Sequence, residues 1–183
     1  MIEIRKVDRS EIPNLSKLAT RIVREHYDSI IGVETNTYML DKFQSEKGIT
    51  SQFESGYEYY WAILDGKEAG FFALIDKVDE LYISKFYVAK EYRGQKIAST
   101  IFSYIQRVAK SRNISKISLN VNKHNDDTIN IYKHLGFAIV KAEIKDIGHG
   151  FVMDDYVMEC TLWWQKKKKL NSNHLLKNMG YQL

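Results

Sequence analysis

One cysteine, Cys160, stands in a chain of 183 residues, so no disulfide can form within it. No apolar run approaches the ~18 residues that a bilayer span needs, so no membrane partner is expected. The N-terminus, MIEIRKVDRS, lacks the apolar stretch of a secretory signal. Together these absences make the cytoplasm the expected compartment. Internal repeats and low-complexity linkers are missing as well. His124, His134 and His149 show no ligand spacing, so no metal is expected.

What is present is ordinary for one globular domain with a sizeable core: 44% apolar and 27% charged residues. The formal net charge of +4 arises at the C-terminus. Residues 165–183 hold Lys166, Lys167, Lys168, Lys169 and Lys177 and no acid, while the rest of the chain carries 22 basic and 23 acidic side chains. A single domain is expected over residues 1–164, with 165–183 as a basic tail and no separate domain. A four-lysine run is ordinarily solvated, so no nucleic-acid partner is expected. Leu175, Leu176 and Met179 could pack on a second subunit, which leaves a homodimer open.

Hydrophobic periodicity orders the chain. Ile2 to Val7 alternates apolar and charged residues, as a half-buried strand does. Asp8 stands three residues before Glu11, a capping-box spacing, and Ile12, Leu15, Leu18, Ala19 and Ile22 follow at helical intervals. The region from Gly32 to Gly56 reads as one further helix with loose flanks. Asp65–Gly66 predicts a hairpin turn between two strands, and Leu81 to Val88 is a third antiparallel strand. After Gly94 an apolar stripe runs through Ile97, Ile101, Phe102, Ile105 and Ala109. A strand over 114–122, a short helix over 125–137 and two strands, near 137–145 and 151–163, complete the order β-α-α-β-β-β-α-β-α-β-β. The fold class expected is α+β, with a mixed, mostly antiparallel sheet and flanking helices.

Two segments carry the candidate chemistry. In EYRGQKIAST, Glu91 to Thr100, a strand ends, a turn holds Arg93 and Gly94, and a long helix begins. The first N–H groups of a helix lack partners within it and, with the helix dipole, suit a phosphate. Many such turns bind nothing. The second segment, NKHNDDTINIYKHLGF, offers Asn125 as a helix cap, Asp126 and Asp127 in the first turn, and Tyr132 either as a packing residue or as a general acid.

Together the segments resemble the GNAT superfamily of N-acetyltransferases. Arg93 and Ala98 occupy places in its R/Q-x-x-G-x-G/A loop, and Asn125, Thr128, Tyr132, Gly136 and Phe137 match its later spacing. Lys96 departs from the pattern, standing where the loop's central glycine is usual. A lysine there fits if its φ is negative and its side chain turns away or reaches a phosphate.

The resemblance implies acetyl-CoA as donor, held in a gap where the fourth and fifth strands splay. Backbone groups of Phe86, Tyr87 and Val88 would pair with the pantetheine arm. N–H groups of Gly94, Gln95, Lys96, Ile97, Ala98 and Ser99 would hold the pyrophosphate, with Arg93 leading the loop. Asn125 would touch the pantetheine region, and Tyr132 would protonate the departing thiolate. The amine attacks the thioester directly, so Cys160 has no chemical role and reads as a core residue. Glu80 is the candidate base, directly or through water, although Asp79 and Glu80 also read as exposed turn residues.

The segment DIGHGFVMDDYVME resembles that of PaiA-type polyamine acetyltransferases, which implies a small-molecule amine as substrate. His26, Tyr38, Asp154 and Asp155 are the candidate substrate contacts. Asp154 and Asp155 point to opposite faces if their strand is regular, so only one of them can line a pocket. Three rivals remain: an enzyme acting on a protein N-terminus or lysine, a non-catalytic regulator that binds CoA or a partner protein, and RNA binding that rests on the lysine run alone.

Overall fold

A capping box starts the short 3-10 turn, Arg9–Glu11, that leads into the first long helix. The Asp8 carboxylate accepts from Ser10 N at 2.9 Å and the Glu11 carboxylate accepts from Asp8 N at 2.9 Å. In the computed structural model, which describes residues 1–162, β1 (Ile2–Lys6) leads through this box into α1 (Ile12–Ile31). The region after Gly32 is two helices rather than one, α2 (Val33–Phe43) and α3 (Glu46–Glu54). The Ser45 hydroxyl, which accepts from Gly48 N at 3.1 Å, caps a fresh helix and breaks the run. Then come β2 (Glu58–Leu64), β3 (Lys67–Lys77), β4 (Glu80–Val88), α4 (Ile97–Ser111), β5 (Lys116–Asn122), α5 (Asp126–His134), β6 (Ala138–Gly148) and β7 (Phe151–Thr161).

The strands form one seven-stranded sheet in the order β1-β2-β3-β4-β5-β7-β6. Every neighbouring pair is antiparallel except β4–β5, which is parallel. Asp65 and Gly66 turn the β2–β3 hairpin with φ of 49° and 80°, as a type I′ turn requires. The apolar stripe of α1 packs on Tyr59, Trp61 and Phe71 on one sheet face. That of α4 packs with Ile83, Phe72 and Leu119 on the other. Cys160 lies in this second core. Among the described residues no helix is long and apolar enough to cross a membrane. The lysine-rich tail lies outside the described residues.

Strand β4 is irregular in two ways near the centre of the sheet. Its parallel pairing with β5 covers only Leu81–Ile83 against Ile117–Leu119, so beyond Ile83 the strands part and β4 has an unpaired edge. At the same point β4 carries a bulge: Ala73 faces Lys85 while its neighbour Leu74 faces Ile83, leaving Ser84 as the extra residue.

Candidate active site

The parting of β4 and β5 opens a cavity of about 440 Å³. Ile83, Ser84, Phe86, Tyr87 and Val88 form one wall and Leu119 to Val121 another. The loop before α4 closes one end with Arg93, Gly94, Lys96, Ile97 and Ala98, and α5 contributes Thr128 and Tyr132. Gln95 and Ser99, from the same loop and helix, do not line it.

The loop holds its shape through two left-handed residues, Gly94 at φ 76° and Lys96 at φ 63°. The negative φ expected of Lys96 is not found. The backbone keeps the conformation that glycine favours, with lysine placed in it. For a residue with a Cβ this costs about 1–2 kcal/mol. Lys96 caps α4 with no side-chain hydrogen bond, so the helix presents its first N–H groups beside an arginine and a lysine. A β-carbon on Gly94 would meet nothing within 4 Å; its left-handed φ is what favours glycine. Lys96→Gly is expected to leave the melting temperature unchanged or raise it slightly, since relief of strain offsets the extra freedom glycine gives the unfolded chain. A lower melting temperature would show that the lysine side chain stabilises the fold beyond its backbone cost.

Tyr132 is 6% exposed. Phe86 meets its ring edge-on at 5.9 Å, and Phe137 lies at 5.8 Å. Burial pushes its phenol far above the ordinary tyrosine range, so the hydroxyl stays protonated. Asn125 is 2% exposed and makes no side-chain cap. Its Nδ2 donates to the Tyr27 hydroxyl at 3.2 Å, and its Oδ1 lies 3.1 Å from His26 Nε2. It therefore ties α5 to α1 from behind the cavity wall, where His26 and Tyr27 do the lining. Burial lowers the His26 pKa, against the opposing effect of its bond to Asn125, and burial lifts the Tyr27 phenol to about 12. His26 thus lies with the phosphate-loop residues.

A second cavity, also about 440 Å³, lies under α1 and α2. It shares Tyr27, Ser84, Tyr87, Asn120 and Val121 with the first, so the two meet where the strands part. Asp155 lines it and Asp154 does not. Asp154 pairs with Lys123, as the alternation of a regular strand requires. Burial lifts the Asp155 carboxyl from 3.8 to about 6, with the nearby charges of Asp154 and Glu143 adding to the rise and a hydrogen bond from Asn120 opposing it. Tyr38 lines neither cavity. Its hydroxyl donates to the Ile147 carbonyl at 2.6 Å and its ring stacks on Phe151 at 4.8 Å, pinning α2 to the β6–β7 turn.

Glu80 also stands outside both cavities. Lys116 lies 3.0 Å and Lys77 3.9 Å from its carboxylate. Burial acts to raise the Glu80 pKa, but the hydrogen bond and charge of Lys116 outweigh it and hold the group below the usual range. A carboxylate so held is a poor proton acceptor. Sequence reasoning missed Lys85, Tyr82 and Asn120, all on the wall of the second cavity. A lysine inside an otherwise apolar strand, Leu81 to Val88, was the signal for the first of them.

The model of the Acetyltransferase (GNAT) family matches residues 21–137, more than half of the chain. The chain belongs to the GNAT acetyltransferase family. It is an acetyl-CoA-dependent N-acetyltransferase, and the splayed strands and loop are the parts of this GNAT fold that suit the donor: an open β4 edge, free helix N–H groups and two cations. A Bacillus subtilis (strain 168) protein provisionally named a ribosomal protein bS18 alanine N-acetyltransferase is 28% identical over 127 residues, covering 66% of this chain and 81% of that protein. The PaiA N-acetyltransferase of Thermoplasma acidophilum, solved with coenzyme A, superposes with a TM-score of 0.73 at 22% identity, covering 88% of this chain and 99% of that one. The Escherichia coli ribosomal-protein-S18-alanine N-acetyltransferase superposes with a TM-score of 0.65 at 18% identity, covering 88% and 94% of the two chains. These identities carry the GNAT fold and leave the acceptor to the chemistry of the site.

Proposed function

We propose that this GNAT enzyme acetylates the primary amine of a small molecule seated in the second cavity. The observation that carries the reading is the junction of the two cavities at Tyr27, Ser84, Tyr87, Asn120 and Val121. The thioester reaches that junction from one side and the amine from the other. A volume of about 440 Å³ falls within the range of small-ligand pockets.

In this reading the pantetheine arm of acetyl-CoA lies along the open edge of Phe86 to Val88, and its pyrophosphate meets the N-terminus of α4 beside Arg93 and Lys96. Asp155 accepts a proton from the arriving ammonium. The neutral amine attacks the thioester carbonyl carbon, a C–N bond forms, and the C–S bond breaks with its electron pair passing to sulfur. Tyr132 donates its phenolic proton to that sulfur, the proton leaving the acylated nitrogen passes through water to reprotonate Tyr132, and Asp155 returns its proton to solvent.

The resemblance to PaiA-type enzymes suggests a polyamine as acceptor. Asp155 and the rings of Tyr27 and Tyr57 support it, since carboxylates and aromatic rings bind cations. Lys77, Lys85 and Lys145 on the same walls oppose it. A second reading, acetylation of a protein N-terminus, draws support from the Bacillus subtilis relative. The domain boundary at residue 164 and the role of the tail stand as parts of the proposal.

The test is release of free thiol from acetyl-CoA by the purified chain. The panel would hold spermidine, spermine, simple alkylamines, amino acids, a lysine peptide and a peptide beginning with alanine. Repeated turnover with at least one low-mass amine is expected, at a kcat/KM at least about tenfold above either peptide, the discrimination that one or two good contacts supply. Turnover confined to the alanine peptide would replace the proposal with its rival.

A further inference from the structure

Lys85 is 9% exposed, sits in the middle of β4, and lines the second cavity. Buried lysines are rare unless paired, and among the described residues no carboxylate lies within ion-pair distance of this one. Its ammonium makes one long hydrogen bond, to Ser84 Oγ at 3.3 Å, and stands 6.0 Å from the Phe43 ring. Burial alone pushes its pKa down to about 8, and no neighbouring charge contributes. Asp155, the one acid among the described residues on these walls, therefore does not neutralise it. Lys77 is engaged elsewhere, 3.4 Å over the Tyr82 ring and 3.9 Å from Glu80.

The placement of Lys85 is specific. The bulge at Ser84 turns it to the face of Tyr82 and Tyr87, and its neighbours Ser84 and Phe86 line the donor cavity. An anion held by Lys85 is thus one or two residues, roughly 3–7 Å along the strand, from the junction where the amine must react. An unpaired ammonium buried beside a reaction centre is costly to the fold, and a ligand that brings the missing anion recovers that cost.

We infer that Lys85 is a specificity residue and that the acceptor carries a carboxylate a short distance from its reactive amine, as an amino acid does. The inference rests on the small-molecule reading above and names the class of molecule within it.

The experiment pairs amines with and without the carboxylate: β-alanine against ethylamine, ornithine against putrescine, lysine against cadaverine. For the unaltered chain the carboxylated member of at least one pair is expected to show a kcat/KM at least about tenfold higher, as one charge-assisted contact supplies. In Lys85→Met that ratio should fall to near one, chiefly through KM, and Lys85→Arg should restore part of it. Lys85→Met should also melt at or above the temperature of the unaltered chain, because the desolvated charge is gone. Equal kcat/KM within every pair, or discrimination that survives in Lys85→Met, overturns the inference.

Calorimetry of the N-acetylated products with CoA present reads the same contact without turnover. If no small amine reacts but N-acetyl-β-alanine, N-acetylornithine or N-acetyllysine binds in a Lys85-dependent way, the proposed function fails and the carboxylate site stands. If none of the three binds at millimolar concentration and no pair discriminates, the carboxylate site fails.

Discussion

Tyr132→Phe is expected to lower kcat by about two to four orders of magnitude, the range a positioned general acid supplies, while the KM for acetyl-CoA stays within about threefold. The substitution removes one oxygen from a ring that Phe86 and Phe137 hold by its edges, so packing is kept. No protein group makes a hydrogen bond with the phenol among the described residues, which leaves it available to a ligand in the first cavity. Burial keeps it neutral through the working pH range. A thiolate leaving into the same apolar surroundings has no other described donor as well placed, and without one the C–S bond must break to an unsolvated anion. Steady-state kinetics with saturating amine read the effect. A kcat within about threefold of the unaltered chain would assign Tyr132 to packing and send the proton to solvent.

Asp155→Asn is expected to lower kcat/KM for the amine by about a hundredfold or more, and to change the pH profile in a way that identifies the base. Above about pH 6 the buried carboxylate is ionised and can accept a proton; below it the group is protonated and cannot. The logarithm of the rate ratio, unaltered chain over variant, should therefore be flat at neutral pH and fall as pH drops through 6. Taking the ratio cancels the amine's own ionisation.

Stability should move the other way. A carboxyl raised from 3.8 to about 6 in the folded chain binds its proton more tightly there than when unfolded. The contribution of Asp155 to stability is thus greatest below about pH 4 and is lost as pH rises through 6, by about 3 kcal/mol. At pH 7.5 the variant, which has no charge to desolvate, should melt no lower than the unaltered chain. Lower activity with undiminished stability separates chemistry from folding. Glu80→Gln supplies the contrast: loss of the Lys116 pair should lower the melting temperature slightly and leave kcat within about threefold. A large fall in kcat for that variant, with none for Asp155→Asn, would return the base to Glu80.

The sequence by itself determined the order of elements, save for the division of one helix, because each rests on contacts close along the chain. The Asp8–Glu11 box, the Asp65–Gly66 turn, the stripe from Ile97 to Ala109 and the stop at Gly136 are local, and all four appear in the fold. The turn at Arg93 and Gly94 was legible for the same reason, though the left-handed φ of Lys96 was not, and so was the rule that only one of Asp154 and Asp155 could face a pocket. The division after Phe43 was also local and was missed, because a serine cap inside a polar stretch gives a weak signal.

Tertiary structure decided which side chains share a space. Asn125 reads as a cap, yet its amide turns to His26 and Tyr27, which lie about a hundred residues away. Glu80 reads as a base until Lys116, from the neighbouring strand, occupies it. Simple alternation puts Lys85 on the face of Leu81 and Ile83; the bulge at Ser84 moves it to the other, into the acceptor cavity. A period of two can be read along a strand, but one extra residue inverts every side chain beyond it. Where that residue falls is set by the partner strand, and a single strand's own sequence does not encode its neighbour's register.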